Sequence, residues 1–172
     1  MRILSLALLM AGLPLAAQPP ANLLVRSSQD FYTYMKTNIL KAAETMPEED
    51  YSFRATPELR TFGQIVGHIA DTNASLCGLG GGKAVPLPNA EKSKTSKADL
   101  IAALNAAFSA CDAAYAAMTD AKAAEAIKFL GGEHSRLSAF DFNVAHNYEH
   151  YGNLATYMRL KGMVPPSSEG GH

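Results

Sequence analysis

The feature that most constrains this chain is a helix-start signal that occurs four times, each time just before a stretch of apolar residues at helical spacing. The signal is a Ser or Thr followed three residues later by an acid or amide, which satisfies two free backbone amides reciprocally. The four pairs are Ser27/Asp30, Thr61/Gln64, Ser96/Asp99 and Ser138/Asp141. One pair alone is weak, but four in this arrangement predict an all-α fold, a four-helix bundle.

Each predicted helix has an apolar face or a clear end. The predicted stripes are Phe31, Met35, Ile39, Ala42 and Met46 in the first helix, Phe62, Ile65, Ile69, Asn73 and Leu76 in the second, and Leu100, Leu104, Phe108, Cys111, Tyr115 and Met118 in the third. Pro47 ends the first helix, and glycines at 78 and 80–82 end the second. The fourth ends near Lys161, because Gly162 can adopt the left-handed cap conformation and Pro165 blocks continuation.

The connection between the second and third helices is about 15 residues, longer than most connections between helices. A connection of that length can cross the bundle and let the two helices run parallel. The sequence therefore predicts a long crossover between helices 2 and 3. A short extended segment is predicted at 126–130, followed by the Gly131-Gly132 turn and with no convincing partner strand.

The N-terminus has the layout of a secretory signal peptide. A positive charge at Arg2 precedes an apolar run from Ile3 to Leu15, and small residues follow before Gln18. We expect residues 1–17 to be removed on export, which leaves one domain at 18–172 in the periplasm or outside the cell, without stable membrane insertion. The net charge of −1 and the lack of a basic run argue against a nucleic-acid partner.

Three histidines are the candidate metal ligands. His146 and His150 are four residues apart in the predicted fourth helix and therefore project from one face, and His68 lies in the middle of the second helix. Neutral imidazoles from two facing helices, with one coordination position left open, suit Zn²⁺ or a similar ion. The alternative is three packed or solvated histidines without a metal. His134 precedes His146 by about three helical turns, or ~18 Å at 1.5 Å per residue, and should not reach the same ion.

Two other metal motifs fit less well. His146, Glu149 and His150 match the H-x-x-E-H pattern of one metalloprotease class, but that class needs a downstream carboxylate ligand and the only later acid is Glu169. Glu149 is then either an outer partner of the site or a solvated residue. The paired Glu-x-x-His motifs of diiron bundles are missing from the sequence.

Cys77 and Cys111 can form one disulfide if their helices run parallel, or remain two buried thiols.

Together these motifs resemble the DinB-like superfamily. The resemblance rests on Gly67-His68-Ile69-Ala70-Asp71, on His146-x-x-x-His150 with Tyr151-Gly152-Asn153, and on the C-terminal segment from Tyr157 to Ser168. It implies a four-helix bundle with a long crossover and one divalent ion, commonly zinc or nickel, on His68, His146 and His150. Relatives often carry Gln where this chain has Asn153. Some relatives are thiol-dependent transferases or isomerases, and many have no known activity.

Two classes of function follow from these observations. In the first, a metal-dependent hydrolase or thiol transferase acts on a small molecule, with Tyr148, Tyr151, Asn147 and Asn153 as candidates for orienting it. The expected export argues against a thiol transferase, since small thiols are mainly cytosolic. In the second, the protein is an exported metal-binding or stress-related binding module without turnover. A homodimer is compatible with either class, and the sequence identifies no catalytic residue.

Overall fold

The computed structural model describes residues 21–83 and 89–170. Its four long helices are α1 (Leu23–Thr45), α2 (Phe62–Gly81), α4 (Lys97–Ala116) and α6 (Arg136–Leu160). The shorter elements are α3 (Ala90–Ser93), α5 (Asp120–Ala123), the strands β1 (Ala126–Phe129) and β2 (Gly132–Ser135), and single 3₁₀ turns at Glu48–Ser52 and Pro166–Ser168. The all-α prediction is confirmed. The predicted signal peptide, 1–17, lies outside the described residues.

The long helices form a four-helix bundle in which α1 and α2 lie diagonally opposite and both pack against α4 and α6. Helices α2 and α4 run parallel, since Gly63 lies against Leu100 at one end and Cys77 is bonded to Cys111 towards the other. Helix α6 runs antiparallel to α2. The connection that carries α3 therefore traverses the bundle, which confirms the predicted long crossover.

Two of the four predicted helix starts are correct. Thr61 and Gln64 form the complete reciprocal capping box before α2, and the Ser96 side chain accepts the Asp99 N–H before α4. The Ser138 prediction is wrong by three residues, because Ser135 caps α6 and accepts the Ser138 N–H. Helix α6 therefore begins at the end of β2, so that Ser138 lies inside its first turn.

The predicted start of α1 at Ser27 is also wrong. The helix begins at Leu23, and the Ser27 hydroxyl donates to the Leu23 carbonyl, a bond that lets a serine sit inside a helix. The carboxylate of Asp120 accepts the N–H groups of Leu24 and Val25 at 3.2 and 3.0 Å. A distant residue thus satisfies the first turn, which no local pattern reveals.

The core occupies the space between the four helices. Of the predicted stripe residues, all are buried except Phe31, whose exposure of 60% makes that assignment wrong. Tyr32 takes its place at 0% exposure, with its hydroxyl donating to the Phe108 carbonyl at 3.0 Å and its ring against that of Tyr115. The predicted stripe of α1 is therefore correct from Met35 to Met46 and wrong only at its first position, which is Tyr32.

Strand β1 does have a partner, contrary to prediction. It pairs antiparallel with β2, with Ala126 opposite Ser135 and Phe129 opposite Gly132. The turn residues Leu130 and Gly131 both have positive φ, at 48° and 79°. That combination gives the tight hairpin turn whose usual first residue is Asn, Asp or Gly. With Leu in that place, the sequence carries no clear hairpin signal.

Cys77 and Cys111 form a disulfide, which settles the choice that the sequence left open. The bond joins α2 to α4 inside the core, where both cysteines are buried. None of the helices in the described part of the chain has the length and apolar character needed to cross a membrane.

Candidate metal centre

The structure brings His68, His146 and His150 together. His68 projects from α2, while His146 and His150 project from one face of α6 a single turn apart. The Nε2 atom of His146 lies 3.1 Å from Nε2 of His68 and 3.0 Å from Nε2 of His150. Three imidazole nitrogens thus converge on one point between two antiparallel helices.

A buried network of asparagines fixes the register of these two helices next to the histidines. Asn73 of α2 donates to Oδ1 of Asn147 at 2.8 Å, and its own Oδ1 accepts from Asn147 and Asn143 of α6 at 3.1 and 2.8 Å. All three side chains are fully buried. Buried amides cost free energy unless they are paired, so this network strongly favours the one register that brings His68 opposite His146.

The surroundings of the two α6 histidines, His146 and His150, lower their pKa values. Burial, followed by the neighbouring His150, His68 and Arg60, lowers the pKa of His146 to about 4. Burial and the neighbouring His68 also hold the pKa of His150 below its ordinary value. The Nδ1 atom of His146 is buried and has no hydrogen-bond partner among the described residues. His146 and His150 are therefore neutral at pH 7, and neutral imidazole is the form that binds metals.

The distances suit a shared ion. Two nitrogens that bind one zinc ion at ~2.0–2.1 Å can be at most ~4.2 Å apart. The two separations from His146, 3.0 and 3.1 Å, satisfy that limit. The side chain of His68 is 22% exposed, so the cluster is open to solvent on one side. A bound cation would accept the nitrogen lone pairs of His68, His146 and His150, which would repel one another without it.

Two further side chains contact the outer nitrogens of the histidines. Nδ1 of His68 lies 2.9 Å from Oε2 of Glu91 on α3, and Arg60 donates from Nε to the other oxygen of Glu91 at 2.8 Å. Burial acts to raise the pKa of Glu91, but the hydrogen bonds from Arg60 and His68 outweigh it and the pKa is lowered. The Asn153 amide lies 3.4 Å from Nδ1 of His150, and a half-turn of the amide presents its oxygen to that atom.

The other sequence candidates take different places. Glu149 and Tyr148 are exposed on α6, and Tyr151 accepts the Ser167 N–H, which fastens the C-terminal segment. Asn147 belongs to the buried asparagine network, so Asn153 alone of the four orienting candidates contacts a histidine. His134 lies on β2, outside the histidine cluster, as expected.

Sequence reasoning missed Glu91 and Arg60. Glu91 lies 23 residues from His68 and belongs to the crossover, whose path no periodic pattern predicts. Arg60 precedes the capping box of α2 and looks like an ordinary exposed charge. A signal existed in Asp71, an acid one turn from Gly67 on a mostly apolar helix, but its partner could not be identified without the fold.

The chain is similar to known proteins in sequence and in fold. Residues 32–154 match the DinB superfamily. A DinB-like protein from Bacillus cereus ATCC 10987, solved by crystallography, superposes with a TM-score of 0.71 at 20% sequence identity, covering 82% of this chain and 95% of that one. No protein of curated function matches the chain.

Proposed function

Because this chain belongs to the DinB superfamily, we propose that it is a metalloprotein that holds one divalent ion on His68, His146 and His150. The observation that carries the proposal is the convergence of their Nε2 atoms, at 3.0 and 3.1 Å, from two helices in a fixed register. Zinc and nickel are the ions that we propose first, since neutral imidazoles suit both.

The chemistry that we propose is hydrolysis of a small molecule, with thiol transfer as the alternative reaction. A divalent ion with three histidine ligands and an open position lowers the pKa of a bound water or thiol. The protein supplies uncharged imidazoles at His146 and His150, and the exposed edge of His68 gives a substrate access. Arg60, half-exposed beside Glu91, is suited to attract an anionic group on the substrate.

We also propose that the protein works outside the cytosol. The disulfide between Cys77 and Cys111 supports this, because such bonds persist mainly in oxidising compartments. Small reduced thiols are scarce there, so the same argument favours hydrolysis over thiol transfer.

The competing function is metal binding without turnover, and one observation favours it. Catalysis by metal-bound water usually needs a free general base within reach. The carboxylate nearest the histidines belongs to Glu91, and both of its oxygens are engaged, by His68 and by Arg60. Glu149, the neighbour of His150 in the sequence, is exposed on α6.

The test is elemental analysis of protein purified without chelator or affinity tag, beside a His146→Ala/His150→Ala variant. We expect about one equivalent of zinc, nickel or another divalent ion in the native protein and none in the variant. A His134→Ala variant is the matched control, because His134 lies outside the cluster, and it should retain the metal. Native protein that stays metal-free after incubation with several divalent ions would overturn the proposal.

A further inference from the structure

Glu91 makes the closest contact with the outer side of the histidine cluster. Its Oε2 lies 2.9 Å from Nδ1 of His68, and its side chain is only 23% exposed. We propose that Glu91 is the positioning residue of the metal centre, holding His68 with its proton on Nδ1 so that the Nε2 lone pair faces the ion. This inference rests on the proposed function, in which the histidines bind a divalent metal.

The hydrogen-bond chemistry requires that arrangement of the proton. An ionised carboxylate can only accept, so its contact with Nδ1 places a hydrogen on that nitrogen. In a neutral imidazole the other nitrogen, Nε2, then carries the lone pair. Nε2 of His68 is the atom that lies 3.1 Å from His146, whereas Glu91 lies at the opposite nitrogen of the ring. Glu91 is therefore an outer partner and not a ligand, an arrangement common at histidine metal sites.

Asp71 fixes the backbone that carries Glu91. Its two carboxylate oxygens accept the N–H groups of Ala90 and Glu91, at 2.8 and 3.1 Å, at the start of α3. The residue that should cap α3 locally, Asn89, makes no side-chain bond to it. Asp71 of α2 therefore supplies the cap from outside, and a carboxylate is favourable at a helix start.

Gly67 allows α3 to come this close. A Cβ atom at residue 67 would lie 2.6 Å from the backbone N of Glu91 and 2.7 Å from its Cα, too near for any side chain. Gly67 and Asp71 are four residues apart and thus lie on one face of α2, beside His68. The residues on either side of His68, Gly67 and Asp71, thus position the backbone of Glu91, the residue that orients His68.

The first experiment measures the affinities of metal-free protein for Zn²⁺ and Ni²⁺ by competition with a chelator. We expect Glu91→Ala to weaken binding about 10- to 100-fold, as loss of outer partners does elsewhere. Glu91→Gln keeps an acceptor oxygen but loses the charge, so its metal affinity should lie between those of the native protein and Glu91→Ala. Glu125→Ala is the matched control, since Glu125 pairs with Arg136 Nε at 2.9 Å much as Glu91 pairs with Arg60 Nε at 2.8 Å, and it should bind as the native protein does.

The second experiment locates the ring proton of His68 by ¹⁵N NMR on metal-free protein. We expect the Nδ1–H form in the native protein and in Glu125→Ala, and a shift towards the Nε2–H form in Glu91→Ala. A residue that merely stabilised the fold would leave this proton where it is. The measurement needs no metal, so it is independent of the proposed function.

A third measurement tests whether Asp71 acts through Glu91. Asp71→Ala should weaken metal binding, as Glu91→Ala does, because α3 loses the carboxylate that caps its first turn. In the double variant Asp71→Ala/Glu91→Ala, the affinity should be no lower than in Glu91→Ala alone, since residues that act as a unit are not additive. Circular dichroism of each variant confirms that it is folded.

The outcomes separate this inference from the function on which it rests. Native protein that binds neither ion overturns the proposed function. Native protein that binds metal, with Glu91→Ala equal to it in both affinity and proton position, overturns the role of Glu91 and leaves the metal site standing. Weaker binding in Glu91→Ala together with a moved proton supports both.

Discussion

Burial lowers the pKa of His146 to about 4, and this makes the metal-free protein sensitive to acid. The pKa of a histidine in an unfolded chain is about 6.5. Between these values the unfolded chain binds more protons than the folded one, so stability is complete above pH ~6.5 and falls as the pH approaches ~4. After allowance for solvent screening, we expect His146 to account for a loss of about 1–2 kcal/mol.

The measurement is urea unfolding of chelator-treated protein at a series of pH values, beside His146→Gln. Carboxylates also titrate near the lower end of this range, but they are common to both proteins. The difference between the two curves therefore isolates the histidine. Parallel curves from pH ~6.5 to ~4 would show that His146 is not held neutral by the fold.

Asn73 is the residue on which the buried amide network depends. It bonds to the Ile69 carbonyl and to both Asn143 and Asn147, at 0% exposure. Asn73→Ala leaves the other two amides short of partners in the core, and we expect the free energy of unfolding to fall by about 2–4 kcal/mol.

Asn105→Ala is the control for this change. Asn105 donates to the carbonyl of Ile101 four residues earlier, as Asn73 does to Ile69, but it is exposed on α4. We expect its loss to change stability by no more than about 0.5 kcal/mol in denaturant unfolding. Equal losses in the two variants would mean that the network contributes no more than its local helix bonds.

At the scale of the elements, the contact between α2 and α3 is the one that the site depends on. Gly67→Ala places a Cβ against the backbone of α3, which cannot yield as a flexible side chain would. We expect α3 to be displaced, the free energy of unfolding to fall by about 1–3 kcal/mol, and zinc binding to weaken. Thermal unfolding and metal titration measure the two effects.

Gly152 of α6 gives the matched comparison, since nothing lies within 4 Å of a Cβ placed there. Gly152→Ala should raise stability by about 0.5–1 kcal/mol, because alanine is the better helix former. If Gly67→Ala were stabilising as well, close packing of α3 on α2 would be refuted.

The elements also show how far the sequence predicts this molecule. Patterns within one helix were reliable where the helix caps itself, as at Thr61 and Ser96, and the i, i+4 spacing placed His146 and His150 on one face. They failed where a distant residue decides the outcome. Asp120 caps α1, and the crossover delivers Glu91 to His68. The histidines could be predicted because they lie on regular helices, whereas their outer partner lies on a segment that has no periodicity.

At the scale of the whole molecule, the Cys77–Cys111 disulfide fastens the two parallel helices on either side of the crossover. Its sequence separation is 34 residues, and this loop includes α3 and therefore Glu91. A cross-link stabilises a protein mainly by restricting the unfolded chain, and a loop of this size gives about 3–4 kcal/mol. The disulfide therefore acts on the unfolded chain, whereas the positions of the histidines are set by the packing of α2 against α6.

Cys77→Ala/Cys111→Ala should therefore separate stability from metal binding. We expect the free energy of unfolding to fall by about 3–4 kcal/mol in denaturant titrations under non-oxidising conditions, and native protein treated with a reductant to lose a similar amount. Zinc affinity should remain close to native while the variant is folded, because the three ligands project from helices that the asparagine network holds in register. A large loss of affinity in folded variant would mean that the disulfide also shapes the site, through Asn143, whose amide lies 3.5 Å from the Cys77 sulfur.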